Sequence, residues 1–178
     1  MDKKKNEYTV EDVSGMEEHA ELINGELVIA DKASTEHNRT VVSIVCAVAN
    51  YIENNKDIGE VFSSNVALYC KDIDESCFAE FYLPDVMVVC NPDIIDNEGV
   101  HGTPDMVIEV VSPESKQQDY YAKLSTYKLI GVREYWIVDI AEGLITVYLK
   151  EDMYTPHYYF VPCDVPLSIY QGGLTISI

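Results

Sequence analysis

The fold of this chain is decided by the stretch Pro104-Asp105-Met106-Val107-Ile108-Glu109-Val110-Val111-Ser112-Pro113. This near-continuous apolar run, rich in valine and isoleucine and stopped by Ser-Pro, is typical of a strand that is buried on both faces. Glu109 lies inside it, and an ionised carboxylate is costly in such surroundings unless a cation or hydrogen-bond donors meet it. Glu109 therefore lies either at a solvated end of the strand or beside a positively charged partner.

The patterns on either side of this strand predict a single α/β domain that spans residues 1–178. Asn24-Gly25 separates two apolar arms and predicts a β-hairpin, because both turn positions of such a loop require positive φ. Helical periodicity predicts two longer helices. The predicted elements are strands at 19–23, 26–30, 60–69, 82–89, 105–111, 134–139, 144–149 and 154–161, helices at 35–54 and 115–130, and a small packed tail at 167–178.

The net charge of the chain restricts its partners. The sequence has 12 Lys and Arg against 31 Asp and Glu, a formal charge of −19 at pH 7. This balance argues against simple nucleic-acid binding, because phosphates are contacted mainly by Lys and Arg. It does not exclude a metal-dependent nuclease, whose acids gather cations, but such an enzyme would need a local basic patch or a basic partner.

The expected compartment is the cytoplasm. No apolar run approaches the length of about 18 residues that a membrane span needs, and the N-terminus lacks the apolar stretch of a signal peptide. The number of cysteines is odd and they form no Cys-x-x-Cys pair, which predicts reduced thiols rather than a disulfide framework or a zinc site. The cysteines are Cys46, Cys70, Cys77, Cys90 and Cys163.

Two carboxylates are candidates for a metal site. Asp85 lies at the start of the strand that precedes the central one, so the two strands can lie side by side and bring Asp85 and Glu109 together. Two carboxylates, a backbone carbonyl and waters form a hard oxygen site that suits Mg²⁺ or Mn²⁺, which can activate a phosphoryl group and water. Asp105 lies about 13 Å from Glu109 along the strand and is too far away to share the ion.

Two further side chains each allow two interpretations. Asp119, Lys123 and Tyr127 recur every four residues on one helix face, so Lys123 either forms a solvated ion pair with Asp119 or reaches back to Glu109. In the second case Lys123 would orient the attacking water and offset charge in the transition state. His37 either closes the end of a packed helix or lies at the mouth of an active site.

Taken together, these motifs resemble the Uma-type putative restriction endonuclease family of the PD-(D/E)XK nuclease superfamily, over residues 8–150. The resemblance implies a restriction-endonuclease-like core, in which a mixed central β-sheet is flanked by helices, with β-hairpins added near both ends of the chain. The motifs that carry it are Glu21-Leu22-Ile23-Asn24-Gly25-Glu26-Leu27, His37, Pro84-Asp85, Glu109-Val110-Val111-Ser112-Pro113, Asp119, Lys123, Tyr127 and Gly131-Val132-Arg133-Glu134-Tyr135-Trp136-Ile137-Val138-Asp139.

The resemblance also implies roles for individual residues. Asp85 and Glu109 are expected to ligate Mg²⁺ or Mn²⁺, with the carbonyl of Val110 as a third ligand. The superfamily places a lysine two residues after this glutamate, where the chain has Val111. Related variants take the lysine from the following helix instead, which nominates Lys123 as the third catalytic residue.

Two other positions match the family near its site. Glu26 and His37 are expected to be auxiliary residues there. Neither is expected to ligate the metal.

Three functions are compatible with the sequence. The first is a metal-dependent endonuclease that hydrolyses DNA phosphodiester bonds. The second is a binding or scaffold module that keeps the fold without catalysis, favoured by the net charge of −19 and the missing lysine after Glu109. The third is a nuclease whose basic DNA-recognition surface lies on a partner protein. A homodimer would suit double-strand cleavage, and the aromatic C-terminal strand is a candidate edge for it.

Overall fold

The computed structural model of the protein describes residues 8–29, 32–55, 59–77, 80–113 and 115–178. The strands are β1 (Ala20–Ile23), β2 (Glu26–Ile29), β3 (Glu60–Ser63), β4 (Ala67–Tyr69), β5 (Phe81–Tyr82), β6 (Val86–Val89), β7 (Gly99–Val100), β8 (Met106–Val110), β9 (Glu134–Asp139), β10 (Leu144–Leu149), β11 (Pro156–Phe160), β12 (Asp164–Pro166) and β13 (Thr175–Ser177). The helices are α1 (Val10–Ser14), α2 (Thr35–Asn55) and a π-helix (Gln118–Lys123) that continues into α3 (Leu124–Ile130). Residues 1–7 of the predicted domain and Ala30 of the second predicted strand lie outside the described residues.

The predicted central strand is β8, which lies inside a six-stranded sheet of order β11-β10-β9-β8-β6-β3. It pairs in parallel with β9 and antiparallel with β6, so the sheet is mixed. All five residues of β8 are buried, as the apolar sequence predicts. Glu109 is only 3% exposed. The carboxylate therefore lies in the interior and not at a solvated end, so a positive partner or donors must be present.

The two faces of this sheet are covered by different layers. One face packs against α2, through Val41, Ile44 and Val48, and against the C-terminal hairpin of β12 and β13. The other face packs against α3 and a second sheet of short strands, of order β2-β1-β5-β4-β7. The predicted mixed α/β core, flanked by helices and with a hairpin added near each end, is confirmed. In the described parts of the chain, no helix combines the length and apolar character that crossing a bilayer requires.

The N-terminal hairpin turns at Asn24 and Gly25, as predicted. Their φ angles are 50° and 74°, the positive values that a tight two-residue hairpin loop needs. Glu80 holds this turn, because its Oε1 atom accepts a hydrogen bond from the backbone N–H of Asn24 at 2.8 Å. β1 also pairs with β5, which attaches the hairpin to the second sheet.

Two predicted strands are each divided between the two sheets, so the prediction of continuous strands was wrong. The segment predicted at 60–69 forms β3 in the large sheet and β4 in the small one, with a turn at Asn65, whose φ is 82°. The segment predicted at 82–89 forms β5 and β6, separated by Leu83 to Asp85. Pro84 cannot donate a ladder hydrogen bond and so favours a break there. Because of these breaks, β4 and β5 pack over the face of the six-stranded sheet that carries Glu109.

The helix after β8 also differs from the prediction in one respect. It ends at Gly131, which adopts the left-handed conformation with φ of 82°, as expected for a C-cap glycine. Its first part, however, is a π-helix instead of regular α-helix, with Asp119 and Lys123 buried. π-Helical segments are rare overall, but those that do occur are often found at functional sites. Periodicity in the sequence assumes a constant turn and therefore cannot indicate this change of pitch.

Candidate active site

The site is built on the pairing of β6 with β8. The register pairs Val86 with Ile108, and continuing it by one residue places Asp85 opposite Glu109. Opposite residues of an antiparallel pair point to the same face of the sheet. Oδ2 of Asp85 also accepts a hydrogen bond from the backbone N–H of Val110 at 2.9 Å. The structure therefore brings together the two acids that the sequence nominated.

The ammonium group of Lys123 occupies the centre of a buried acidic cluster. Its Nζ atom lies 3.1 Å from Oε1 of Glu109, 3.0 Å from Oε1 of Glu21 and 3.6 Å from Oδ1 of Asp119. The side chain of Lys123 is 5% exposed. The lysine thus contacts both Asp119 and Glu109, and its pair with Asp119 is buried rather than solvated.

These contacts explain why an acid is tolerated inside β8. Oε1 of Glu109 accepts hydrogen bonds from Nζ of Lys123 at 3.1 Å and from the hydroxyl of Tyr127 at 2.8 Å. Burial raises the pKa of Glu109 well above its usual range, and the ammonium group of Lys123 opposes that rise. Burial by itself would lower the pKa of Lys123, but the surrounding carboxylates raise it well above its usual value. The lysine therefore stays charged and is the positive partner of Glu109.

His37 lies beside the other acid of the pair. The backbone N–H of His37 donates to Oγ of Ser34 at 3.0 Å, which places the ring in the first turn of α2. Its Nε2 atom lies 3.2 Å from Oδ2 of Asp85. The hydrogen bond to Asp85 raises the pKa of His37, burial opposes this, and the carbonyl of Val110 adds to the rise. His37 therefore belongs to the site rather than only to the packing of α2.

The N-terminal hairpin contributes an acid that the sequence did not single out. Glu26 is exposed on β2, opposite Ile23 in the hairpin register, and the contacts described for Lys123 do not include it. Glu21, on β1, is the acid of this hairpin that contacts the lysine. The sequence contained Glu21 within a family motif but offered no local pattern that would distinguish it from Glu26.

Asp119 and Asp105 have separate surroundings. Asp119 accepts a hydrogen bond from Oγ of Ser115 at 2.6 Å, and burial raises the pKa of Asp119 to about 6. Asp105 accepts the backbone N–H of Cys90 at 2.8 Å and a guanidinium N–H of Arg133 at 2.9 Å. Asp105 is therefore engaged outside the cluster, as the distance along the strand predicted.

The oxygen atoms at the pairing of β6 with β8 fit a hard divalent cation. In the ranges described, no three Asp, Glu, His or Cys side chains are arranged to ligate a metal by themselves. Mg²⁺, however, usually takes one or two protein carboxylates and keeps several waters. Asp85, Glu109 and the carbonyl of Val110 match that requirement. Oδ1 of Asp119 is buried without a hydrogen bond to any described residue, which adds to the negative charge of the site.

The stability of the metal-free protein is expected to fall as the pH rises from 4 to 6. The folded state keeps the Asp119 proton up to a pKa of about 6, whereas the unfolded chain loses it near 3.8. The folded state therefore binds more protons in this range, and ionisation of Asp119 costs up to about 3 kcal/mol of stability. The raised pKa of His37 acts in the same direction at higher pH.

Urea denaturation at a series of pH values measures how steeply stability falls with pH, and Asp119→Asn should reduce this slope. Equal slopes for the two proteins would contradict this assignment.

Comparisons with known proteins agree with this architecture. Over 125 residues the chain is 28% identical to an uncharacterized protein, sll1609, of Synechocystis sp., a match that covers 68% of this chain and 67% of that protein. It also resembles the crystal structure of a protein from Anabaena variabilis described as a putative nuclease belonging to DUF820. That likeness has a TM-score of 0.73 at 17% identity, covers 96% of this chain and 94% of the other, and shows a shared fold. The model of the Uma2 family, described as "Putative restriction endonuclease", matches residues 7–177, and the chain belongs to this family.

Proposed function

We propose that this protein is a Mg²⁺- or Mn²⁺-dependent endonuclease that hydrolyses DNA phosphodiester bonds. Membership of the family and the nuclease-like fold support a nuclease. The observation that carries the proposal is the position of Asp85 opposite Glu109 on adjacent strands, with Nζ of Lys123 at 3.1 Å from Glu109. Two carboxylates can hold the divalent ion that metal-assisted phosphodiester hydrolysis uses, and the lysine places a positive charge beside them.

The metal would be held by Asp85, Glu109 and the carbonyl of Val110. The ion would supply the Lewis acidity that activates both the phosphoryl group and water. Tyr127 and the backbone N–H of Val110 donate hydrogen bonds to the two carboxylates and fix their orientation. Such supporting hydrogen bonds typically change metal affinity or activity by about 10- to 100-fold.

Lys123 would act on the reacting groups, and His37 would act on a ligand of the ion. The ammonium group of Lys123 would orient the attacking water and offset the charge that develops on the phosphate. His37, hydrogen-bonded to Asp85, would hold that carboxylate in place. Glu26, on the exposed rim of the hairpin, would be auxiliary.

The proposal is tested with supercoiled plasmid and purified protein, with Mg²⁺, Mn²⁺ or EDTA. The wild type should nick or linearise the plasmid with either ion and not with EDTA. Asp85→Asn should abolish cleavage because it removes one of the two carboxylates that would hold the ion. Asp93→Asn, a matched change at an exposed position, should leave it unchanged. Absence of cleavage by the wild type under every condition would rule out this function for the protein alone.

A second candidate function is a binding or scaffold module without catalysis. The observation that favours it is the buried ion pair of Lys123 with Glu109, which neutralises the acid without any metal. Calorimetric titration with Mn²⁺ separates the two functions. A catalytic site takes up the ion and loses it in Asp85→Asn, whereas a scaffold shows no uptake in either protein.

DNA binding by this chain would need positive charge from elsewhere. Several of its described cations are already paired with carboxylates: Lys71 with Glu11, Lys116 with Asp139 and Glu142, Lys123 within the cluster, and Arg133 with Asp105. A partner protein with a basic surface, or a homodimer that aligns two sites on one duplex, would supply it. Adding such a partner should lower the KM of plasmid cleavage and make cleavage more sensitive to salt, because more phosphates are then contacted by Lys and Arg.

A further inference from the structure

We propose that Glu21 is a positioning residue of the active site, which fixes the ammonium group of Lys123 for phosphodiester cleavage. This inference rests on the proposed nuclease function and extends the site to the N-terminal hairpin, which lies outside the central sheet. Glu21 is on β1 and is 8% exposed. Its closeness to the site follows only from the fold, because it lies far from Lys123 in the sequence.

One oxygen atom of Glu21 joins two parts of the site. Oε1 accepts the backbone N–H of Leu83 at 2.8 Å and lies 3.0 Å from Nζ of Lys123. Leu83 is two residues before Asp85, in the segment that connects β5 to β6. The same carboxylate therefore holds the lysine and the segment that carries the first acid at a fixed separation.

The other two carboxylates around Lys123 cannot take over this task. Glu109 would direct its carboxylate to the ion in the proposed function, which weakens its hold on the lysine. Asp119 is more distant, at 3.6 Å, and lies on the same helix as Lys123. It therefore cannot fix that helix relative to the sheets. Glu21 contacts the lysine from a separate sheet and is anchored by a backbone hydrogen bond.

The hairpin itself has a rigid support. One carboxylate oxygen of Glu80 accepts the N–H of Asn24 in the hairpin turn at 2.8 Å, and the other accepts the hydroxyl of Tyr82. The same hydroxyl lies 3.0 Å from Oγ1 of Thr126 on α3. These hydrogen bonds connect the hairpin turn to the helix that follows the π-helix, so the carboxylate on β1 is held in place relative to the lysine.

The test compares Glu21→Gln with Glu18→Gln, which removes one carboxylate at an exposed position of the same segment. Glutamine keeps an oxygen that can accept the N–H of Leu83 but loses the charge that attracts Lys123. With plasmid and Mn²⁺, we expect kcat of Glu21→Gln to fall about 10- to 100-fold. KM and the Mn²⁺ affinity should stay within about twofold, since the proposed function places neither the substrate nor the ion against this residue. Glu18→Gln should match the wild type, and Glu21→Asp, which keeps the charge, should recover part of kcat.

A second measurement does not depend on cleavage. Acetic anhydride modifies accessible amines, and mass spectrometry of the peptides gives the rate at Lys123 in the metal-free protein. We expect this rate to rise at least about tenfold in Glu21→Gln, because the buried pair is broken, and to stay unchanged in Glu18→Gln. If Glu21→Gln does not fold, Glu21→Asp is measured in the same way and should show a smaller rise.

The outcomes separate this inference from the nuclease proposal. Unchanged labelling of Lys123, or a wild-type kcat in Glu21→Gln, would overturn the positioning role. A loss of Mn²⁺ affinity as large as the loss of kcat would also overturn the positioning role, since Glu21 would then act on the ion. Faster labelling together with a wild type that cleaves no plasmid would leave the contact between Glu21 and Lys123 established and remove the nuclease function.

Discussion

At pH 8 and without metal, Lys123→Met is expected to lower the free energy of unfolding by about 3–5 kcal/mol. The substitution removes the ammonium group that contacts Glu109 and Glu21 and leaves their carboxylates buried without that charge. Methionine has a similar length and fills the space, so the loss of stability measures the missing charge rather than the effect of a cavity. Urea denaturation followed by the fluorescence of Trp136, the single tryptophan, which is fully buried, measures it.

The control for this prediction is Lys128→Met on the exposed side of α3. Lys128 lies over two tyrosine rings, so its loss should cost less than about 1 kcal/mol. The effect of Lys123→Met should shrink at pH 5, because burial raises the pKa of Glu109 and Asp119 and lets them keep their protons. Adding Glu109→Gln should restore part of the stability. A loss below about 1 kcal/mol at both pH values would show that Lys123 does not neutralise the cluster.

Glu109→Gln is expected to reduce plasmid cleavage by at least about 100-fold, the upper end of the loss typical when only a supporting partner of a metal ligand is removed, without lowering stability. Glutamine has the same size and can still accept the hydrogen bonds of Tyr127 and Lys123, but a neutral amide holds a divalent cation poorly. Because burial raises the pKa of Glu109, the folded state already disfavours its ionised form, so a neutral side chain is tolerated. Single-turnover cleavage with Mg²⁺ and a thermal melt measure the two quantities.

Asp105→Asn should show the opposite pattern. Asp105 lies on the same segment but bonds to Cys90 and Arg133, away from the cluster. We expect a loss of about 1 kcal/mol of stability and cleavage within about threefold of the wild type. If Glu109→Gln kept more than a tenth of the cleavage, or if Asp105→Asn lost as much as Glu109→Gln, the assignment of Glu109 as a metal ligand would be wrong.

The features that the sequence predicted correctly are local or nearly so. The apolar run around Glu109 predicted a strand buried on both faces, and Asn24-Gly25 predicted the hairpin turn, because each depends on a few neighbouring residues. The proximity of Asp85 to Glu109 could also be predicted, since the two strands are joined by one connection and pair antiparallel.

The features that were missed depend on contacts between distant segments. Glu21 meets Leu83 across 62 positions of the chain, and no periodic pattern records such a contact. The division of two predicted strands between sheets depends on how the small sheet packs over the large one. The π-helix that buries Asp119 and Lys123 differs from an α-helix by a small change of pitch that side-chain spacing does not reveal. Most of the fold was therefore predictable, whereas the full acidic cluster was not.

The claim that Asp85 and Glu109 jointly hold a divalent cation is tested most directly by anomalous diffraction from a crystal soaked in Mn²⁺. We expect a peak about 2.1 Å from a carboxylate oxygen of each acid and from the carbonyl of Val110, with Lys123 still held by Glu21. No peak between the two acids at saturating Mn²⁺, with the ion pair of Lys123 and Glu109 unchanged, would contradict it.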